Sequence, residues 1–329
     1  MVRKRLLYLC VSGVALAVVV VVLGAFTRLV DAGLGCPDWP GCYGFLTVPE
    51  TPQEVGVAEA RFPDAPVEAD KAWWEMIHRY FATTLGFLVV VIAGLVVTNR
   101  QADVPLKLPI FLLILVIAQG AFGAWTVTLK LWPQIVTAHL LGGFATLSLL
   151  WLMCLRLGVG VGWRIGRTGL LPHIWLGLAL LIGQIALGGW VTSNYAALAC
   201  GDFPTCHGSL WPQMNLAAGF NFMQSVGPNY LGGLLDSEAR VAIQVVHRAG
   251  AALVLIVVGA LAIRLIRSGF VLGWPLAGIL VGQICLGIAN VIWLLPLGVA
   301  TLHNAVGALL LLAMVTVSYR AFREERIVE

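Results

Sequence analysis

Long apolar runs broken by short polar stretches dominate the chain. Leu6 to Thr27, Tyr80 to Asn99, Leu108 to Leu129 and Leu131 to Leu155 each pass without an Asp, Glu, Lys or Arg, and a helix of about 20 apolar residues crosses a bilayer. Thr168 to Gly201 predicts a fifth span and Ala249 to Ile263 forms the uncharged part of a sixth. Ser268 to Tyr319 is long enough for two more, with a break near Pro296. The expected fold class is an all-α integral membrane protein with eight transmembrane helices. Continuous apolar runs exclude a transmembrane β-barrel, whose strands alternate polar and apolar residues. So many spans also exclude a soluble enzyme or a singly anchored domain. The basic start at Arg3 to Arg5 resembles a secretory signal, but the apolar run after it exceeds the usual core of about 7 to 15 residues.

Composition agrees: 60% of the 329 residues are hydrophobic and 11% charged, against about a quarter charged in soluble domains. A net charge of +4 is too small to suggest a nucleic-acid partner. The placement of charge says more. Arg3, Lys4, Arg5, Arg100, Lys107, Arg156, Arg164, Arg167, Arg264, Arg267, Arg320, Arg323 and Arg326 fall on one side of the predicted spans. The segments on the other side, Asp31 to Trp74 and Ser193 to Arg240, hold most of the acids. Positive-inside bias then puts both termini in the cytoplasm of a multi-pass plasma-membrane protein.

The sequence also matches itself at an offset of 164 residues. Leu23 to Gly44 aligns with Leu187 to Gly208 without a gap, and nine of 22 positions are identical: Leu23, Gly24, Ala32, Leu34, Cys36, Asp38, Pro40, Cys42 and Gly44. Gln119 meets Gln283, Gly123 meets Gly287, Thr137 meets Thr301, His139 meets His303 and Gly143 meets Gly307 at the same offset. His78-Arg79 meets His247-Arg248 at 169. Such self-similarity predicts two four-helix halves, 1–160 and 161–329, with outer loops at 31–73 and 193–240. Four spans per half give both halves the same orientation, related by an axis along the membrane normal.

Four of the six histidines, His78, His139, His247 and His303, lie in the second, fourth, sixth and eighth spans, near their outer ends. Two histidines on neighbouring helices at one depth can supply both axial ligands of a haem iron. A lone intramembrane histidine is more often a buried group bonded to a neighbouring helix; four at repeat-related positions favour a cofactor. Zinc or copper would want a third or fourth donor at each place. Arg79 and Arg248 follow two of the histidines and are candidates for haem propionates, or else anchors that snorkel to the interface.

Cys36 and Cys42 flank Pro-Asp-Trp-Pro-Gly in the first outer loop, and Cys200 and Cys206 flank Gly-Asp-Phe-Pro-Thr in the second. In an oxidising compartment two local disulfides are expected; His207 beside Cys206 keeps a metal reading open. Cys10, Cys154 and Cys285 read as small apolar fillers. The halves differ at one position of chemical weight. Glu75 stands three residues before His78, on the same helical face and about one turn further out, whereas Gln244 holds the matching place before His247. A partly desolvated carboxylate there can serve as general acid or base, although a solvated charge favoured by the helix dipole is the plainer alternative.

Together Gly24-x-x-Thr27-Arg28, the loop Gly33-Leu34-Gly35-Cys36-Pro37-Asp38-Trp39-Pro40-x-Cys42, Glu75-x-x-His78-Arg79 and the four histidines resemble the haem A synthase family. The likeness runs from about Leu6 to Tyr319, and the cysteine pairs match the bacterial members that carry them. It implies oxidation of the C8 methyl of haem O to a formyl group by successive hydroxylations, with water as oxygen source, yielding haem A for terminal oxidases. It implies haem b as cofactor on His247 and His303, with His78 and His139 facing the substrate haem and Glu75 beside it. Partners would be haem O synthase, by handover of substrate, an electron acceptor, and further copies of the chain in a homo-oligomer. Two other classes fit parts of the pattern. A bis-histidine dihaem cytochrome b would stack its haems at two depths, whereas these histidines share one. A transporter would break helices at the bilayer midplane.

Overall fold

The computed structural model describes residues 2–99, 106–163 and 169–326. Arg100, Arg164 and Arg167, used above for orientation, lie outside the described residues, as does the side chain of Arg326. The helices are α1 (Val2–Leu29), α2 (Pro52–Arg61), α3 (Ala69–Thr98), α4 (Lys107–Thr128), α5 (Pro133–Arg156), α6 (Leu171–Ser193), α7 (Leu216–Gly219), α8 (Ser237–Arg267), α9 (Gly273–Ile292) and α10 (Leu297–Arg326). Among the described residues, eight of them are long and apolar enough to cross a membrane. The short α2 and α7 lie in the two outer loops. Proline fixes several starts: Pro133 and Pro172 sit in the first turns of α5 and α6, where a missing N–H costs nothing. The expected break near Pro296 falls between α9 and α10. Asp236 caps α8 by accepting the Ala239 N–H at 2.8 Å.

Helices α1, α3, α4 and α5 close a ring, each touching the next, and α6, α8, α9 and α10 close a second ring in the same order. The rings meet where α1 lies against α10, α5 against α6, and α5 against α10. Exchanging the halves maps the first two contacts onto each other and the third onto itself, as a two-fold axis between α5 and α10 requires. The core runs through both rings, from Leu6, Cys10 and Leu150 to Ile174, Leu261 and Leu310. Across the α5–α10 seam, Trp151 Nε1 donates to Thr316 Oγ1 at 2.8 Å. Phe87, Ile117 and Ile256 point outward, as lipid-facing residues should.

The repeat extends to backbone conformations that residues other than glycine rarely adopt. Asp31 (φ 53°) pairs with Tyr195 (55°), Tyr43 (55°) with His207 (53°), Lys130 (49°) with Leu294 (56°), and Leu131 (60°) with Leu295 (62°). Each pair is separated by the same 164 residues, although only the last, leucine in both halves, conserves its side chain. What recurs is the hydrogen bond that ends the helix: Ala32 N–H to Thr27 O and Ala196 N–H to Val191 O, both 2.9 Å. Leu131 N–H to Thr126 O and Leu295 N–H to Asn290 O likewise match, at 2.8 and 2.7 Å. A left-handed residue costs roughly 1 to 2 kcal/mol, so its retention in both halves shows how tightly the connections are specified.

Candidate functional site

Both expected disulfides form, Cys36–Cys42 and Cys200–Cys206, with Cα atoms 4.8 Å apart in each. The intervening aspartate organises each loop. Asp38 accepts the N–H groups of Tyr43 and Gly44 at 2.6 and 2.7 Å; Asp202 accepts those of His207 and Gly208 at 2.7 and 2.9 Å. The Thr205 hydroxyl adds a bond to Asp202 at 2.5 Å. That hydroxyl, with the Gly208 and His207 amides, holds the Asp202 carboxyl at about 2, below the ordinary carboxylate value. His207 is therefore part of the loop's own turn.

One arginine from below grips each loop. Arg79 Nη1 donates to the carbonyls of Gly41 at 2.5 Å and Pro40 at 3.3 Å, and its Nη2 meets Glu75 Oε1 at 2.5 Å. Arg248 reaches the carbonyls of Asp202, Thr205 and Cys200 at 2.8–2.9 Å. These candidates for propionate binding thus hold the disulfide loops over the helix ends. Arg248 Nε is buried with no hydrogen-bond partner.

Glu75 is buried, 5% exposed, because α3 begins well before its apolar run and its outer turns pass beneath the first loop. Its second oxygen accepts the Cys36 N–H at 2.9 Å. The reading of Glu75 as a solvated helix-start charge is therefore replaced by a carboxylate enclosed by Arg79 and the loop. Gln244, equally buried, leaves its side-chain carbonyl without a partner.

The four histidines stand on diagonal helices of each ring rather than on neighbours, α3 with α5 and α8 with α10. Within each half the rings are close enough for a charge on one to act on the other, His139 on His78 and His303 on His247. Each imidazole rests against a glycine of an adjacent helix. A Cβ on Gly24 would lie 2.9 Å from His78 Cε1, on Gly123 3.6 Å from His139 Cε1, on Gly188 3.4 Å from His247 Cε1, and on Gly287 3.2 Å from His303 Cε1. Nδ1 of His78, His139 and His303 is buried without a well-formed hydrogen bond, where buried polar groups are otherwise paired. Paired, enclosed imidazoles with unused nitrogens, seated on glycines, suit two axial ligands per half. Among the described residues no group of three or more His, Cys, Asp and Glu side chains is placed around one point.

The reading of the sequence missed three features. The glycine seats were visible as repeat identities, Gly24 with Gly188 and Gly123 with Gly287, but had no assigned role. Gln184 Nε2 lies 3.1 Å from His247 Nδ1, and only its contrast with Val20 in the first half could have signalled it. The third is a clasp between halves, one helical turn beyond Gly24 and Gly188. Arg28 donates to the Tyr195 hydroxyl at 2.7 Å and the Thr192 carbonyl at 3.0 Å, and Tyr195 donates to Asp31 at 2.8 Å. Burial pushes the Tyr195 phenol up, which keeps it a donor.

Comparison with known proteins places these residues in a family. The profile of the COX15-CtaA family, described as cytochrome oxidase assembly protein, matches residues 6–315. A Heme A synthase of Shewanella oneidensis is 47% identical over 304 residues, 91% of this chain and 92% of the relative. Heme A synthases of Maricaulis maris and Parvibaculum lavamentivorans are 28% and 29% identical, covering 94% and 88% of this chain and 94% and 87% of their own. With a profile match from α1 into α10 and a relative of that identity along nearly its whole length, the chain belongs to the COX15-CtaA family of cytochrome oxidase assembly proteins.

Proposed function

We propose that the chain is a haem A synthase, which takes haem O between His78 and His139 and oxidises its C8 methyl to a formyl group with water as the oxygen source. The observation that carries the assignment of chemistry to the first half is the buried carboxylate of Glu75, one turn beyond His78, against the neutral Gln244 beyond His247. Converting a methyl and one water into a formyl group releases four protons and four electrons. Glu75 is the group on hand for the protons. A carboxylate has about four lone-pair sites, and the bonds to Arg79 and Cys36 leave capacity for another donor. Arg79 and the Cys36 amide keep that carboxylate in place between the loop and the histidine. Held by His247 and His303, haem b would supply one-electron transfer toward an acceptor. Arg248, through its unpaired Nε, is the remaining donor for a propionate in that half. The orientation follows from charge: both termini cytoplasmic and both sites toward the outer face.

Expression with a haem O source, followed by extraction and mass identification of the haems, tests this reading. Haem A or a hydroxylated haem O together with haem b supports it. Haem b alone, with haem O unchanged, would make the protein a cytochrome instead.

A further inference from the structure

Resting on the assignment of haem b to the second half, we propose that Gln184 is the positioning residue that makes His247 a permanent ligand. Gln184 Nε2 lies 3.1 Å from His247 Nδ1 and 3.0 Å from the His247 carbonyl. Its other amide atom, Oε1, is buried with no partner. The amide fits because residue 250 is glycine: a Cβ there would meet Gln184 Oε1. The first half has neither half of this device. Val20 stands where Gln184 does at the 164-residue offset, and Phe81 where Gly250 does at 169. The Val20 carbonyl faces the His78 ring, but His78 Nδ1 forms no well-formed hydrogen bond. The other helix pair shows no such exchange of residue type, since Gln119 and Gln283 are the same in both halves.

The chemistry follows from the amide having both a donor and an acceptor. A histidine that binds iron through Nε2 carries its proton on Nδ1, and a turn of the Gln184 amide that exchanges its bond to the His247 carbonyl for one to the ring brings Oε1 to accept that proton. Such an outer hydrogen bond fixes the ring plane and raises ligand basicity, and its removal typically costs about 10 to 100-fold in metal affinity. A site with this bond retains its haem; a site without it can accept one haem and release another. The exchange of Gln184 and Gly250 for Val20 and Phe81 therefore separates a holding half from a turnover half.

The test uses purified holoprotein, with two readouts on the tightly bound haem b: its midpoint potential, and its rate of loss to a haem-scavenging apoprotein. Gln184→Val should raise the potential and speed haem loss about 10 to 100-fold. Gln184→Glu, which supplies an acceptor oxygen in either protonation state, should keep slow loss and shift the potential. It serves as the folded control should the valine variant fail to assemble. Potential and loss rate unchanged in both variants would overturn the role of Gln184 while leaving the haem b assignment intact. Wild-type protein that purifies without haem b would instead overturn that assignment.

Discussion

In the first half the ring of His78 rests against Gly24, has Val20 at the position that matches Gln184, and has the buried Glu75 one turn above it. In the second half His247 rests against Gly188, is bonded by Gln184, and has Gln244 above it. The backbone matches between the halves at the left-handed residues that end the helices and in the disulfide turns. The difference lies in the layer of side chains around the imidazoles. One half has a carboxylate and no clamp; the other has a clamp and no carboxylate. On the proposed assignment, a duplicated bundle is divided between chemistry and storage by a few substitutions, with the fold, the glycine seats and the loop-gripping arginines left in place.

The largest expected effect comes from the ligands. His247→Ala or His303→Ala should abolish the spectrum of tightly bound haem b, because each removes one axial nitrogen, whereas His78→Ala should leave that spectrum intact. An unchanged six-coordinate spectrum in both second-half variants would break the division between halves. Next come the glycine seats, where clearance sets the order. Gly24→Ala puts a methyl 2.9 Å from the His78 ring and Gly123→Ala one at 3.6 Å from His139. A displaced ligand ring costs about 10² in rate, so turnover should fall steeply in the first variant and little in the second. Equal losses in both would show that these glycines serve helix packing alone.

Val20→Gln combined with Phe81→Gly builds the clamp into the first half. Haem released from that half after turnover should then slow about tenfold, within the range for an added outer hydrogen bond, and haem recovered per protein should rise. Release at the wild-type rate would mean the clamp acts only in its own half. The smallest effect concerns the loops. All four outer cysteines should resist alkylation until reductant is added, and replacing Cys200 and Cys206 by serine should cost roughly 2 kcal/mol of stability, the scale for so short a closed loop. The Asp202 anchor of that loop, with its folded value depressed to about 2, contributes above the ordinary carboxylate range and is lost only as pH falls through that value.

Most of the architecture was legible because lipid imposes one rule along the whole chain: eight apolar runs, segregated charge, and a repeat that matched loops and histidines together. Helix starts were less legible. The outer turns of α3 contain Asp70, Lys71, Glu75 and Arg79, so hydropathy placed the span at Tyr80, whereas the helix begins under the loop that covers those charges. Helix α2 carried its own signal, the capping box of Thr51 and Glu54 with Pro52 between them, but apolar periodicity passes over it. Arg79 and Arg248 directly follow His78 and His247 in the sequence, and were candidates for propionates. Their grip on loop carbonyls depends on how the disulfide turns fold back, which spacing does not state. Gln184 stayed hidden because it departs from the repeat, and identity across the repeat was the signal being read.

The division of labour between the halves is tested most directly by exchanging the groups above the two histidines. Glu75→Gln and Gln244→Glu would be expressed at equal levels with a haem O source, and haem O, hydroxylated intermediate and haem A quantified by chromatography. A general acid or base contributes about 10² to 10⁴-fold, so Glu75→Gln should retain haem b while haem A falls by that order and haem O or its hydroxylated form accumulates. Gln244→Glu should turn over much more nearly like wild type. Wild-type haem A from Glu75→Gln, or an equal loss from Gln244→Glu, would contradict the assignment of the chemistry to the first half.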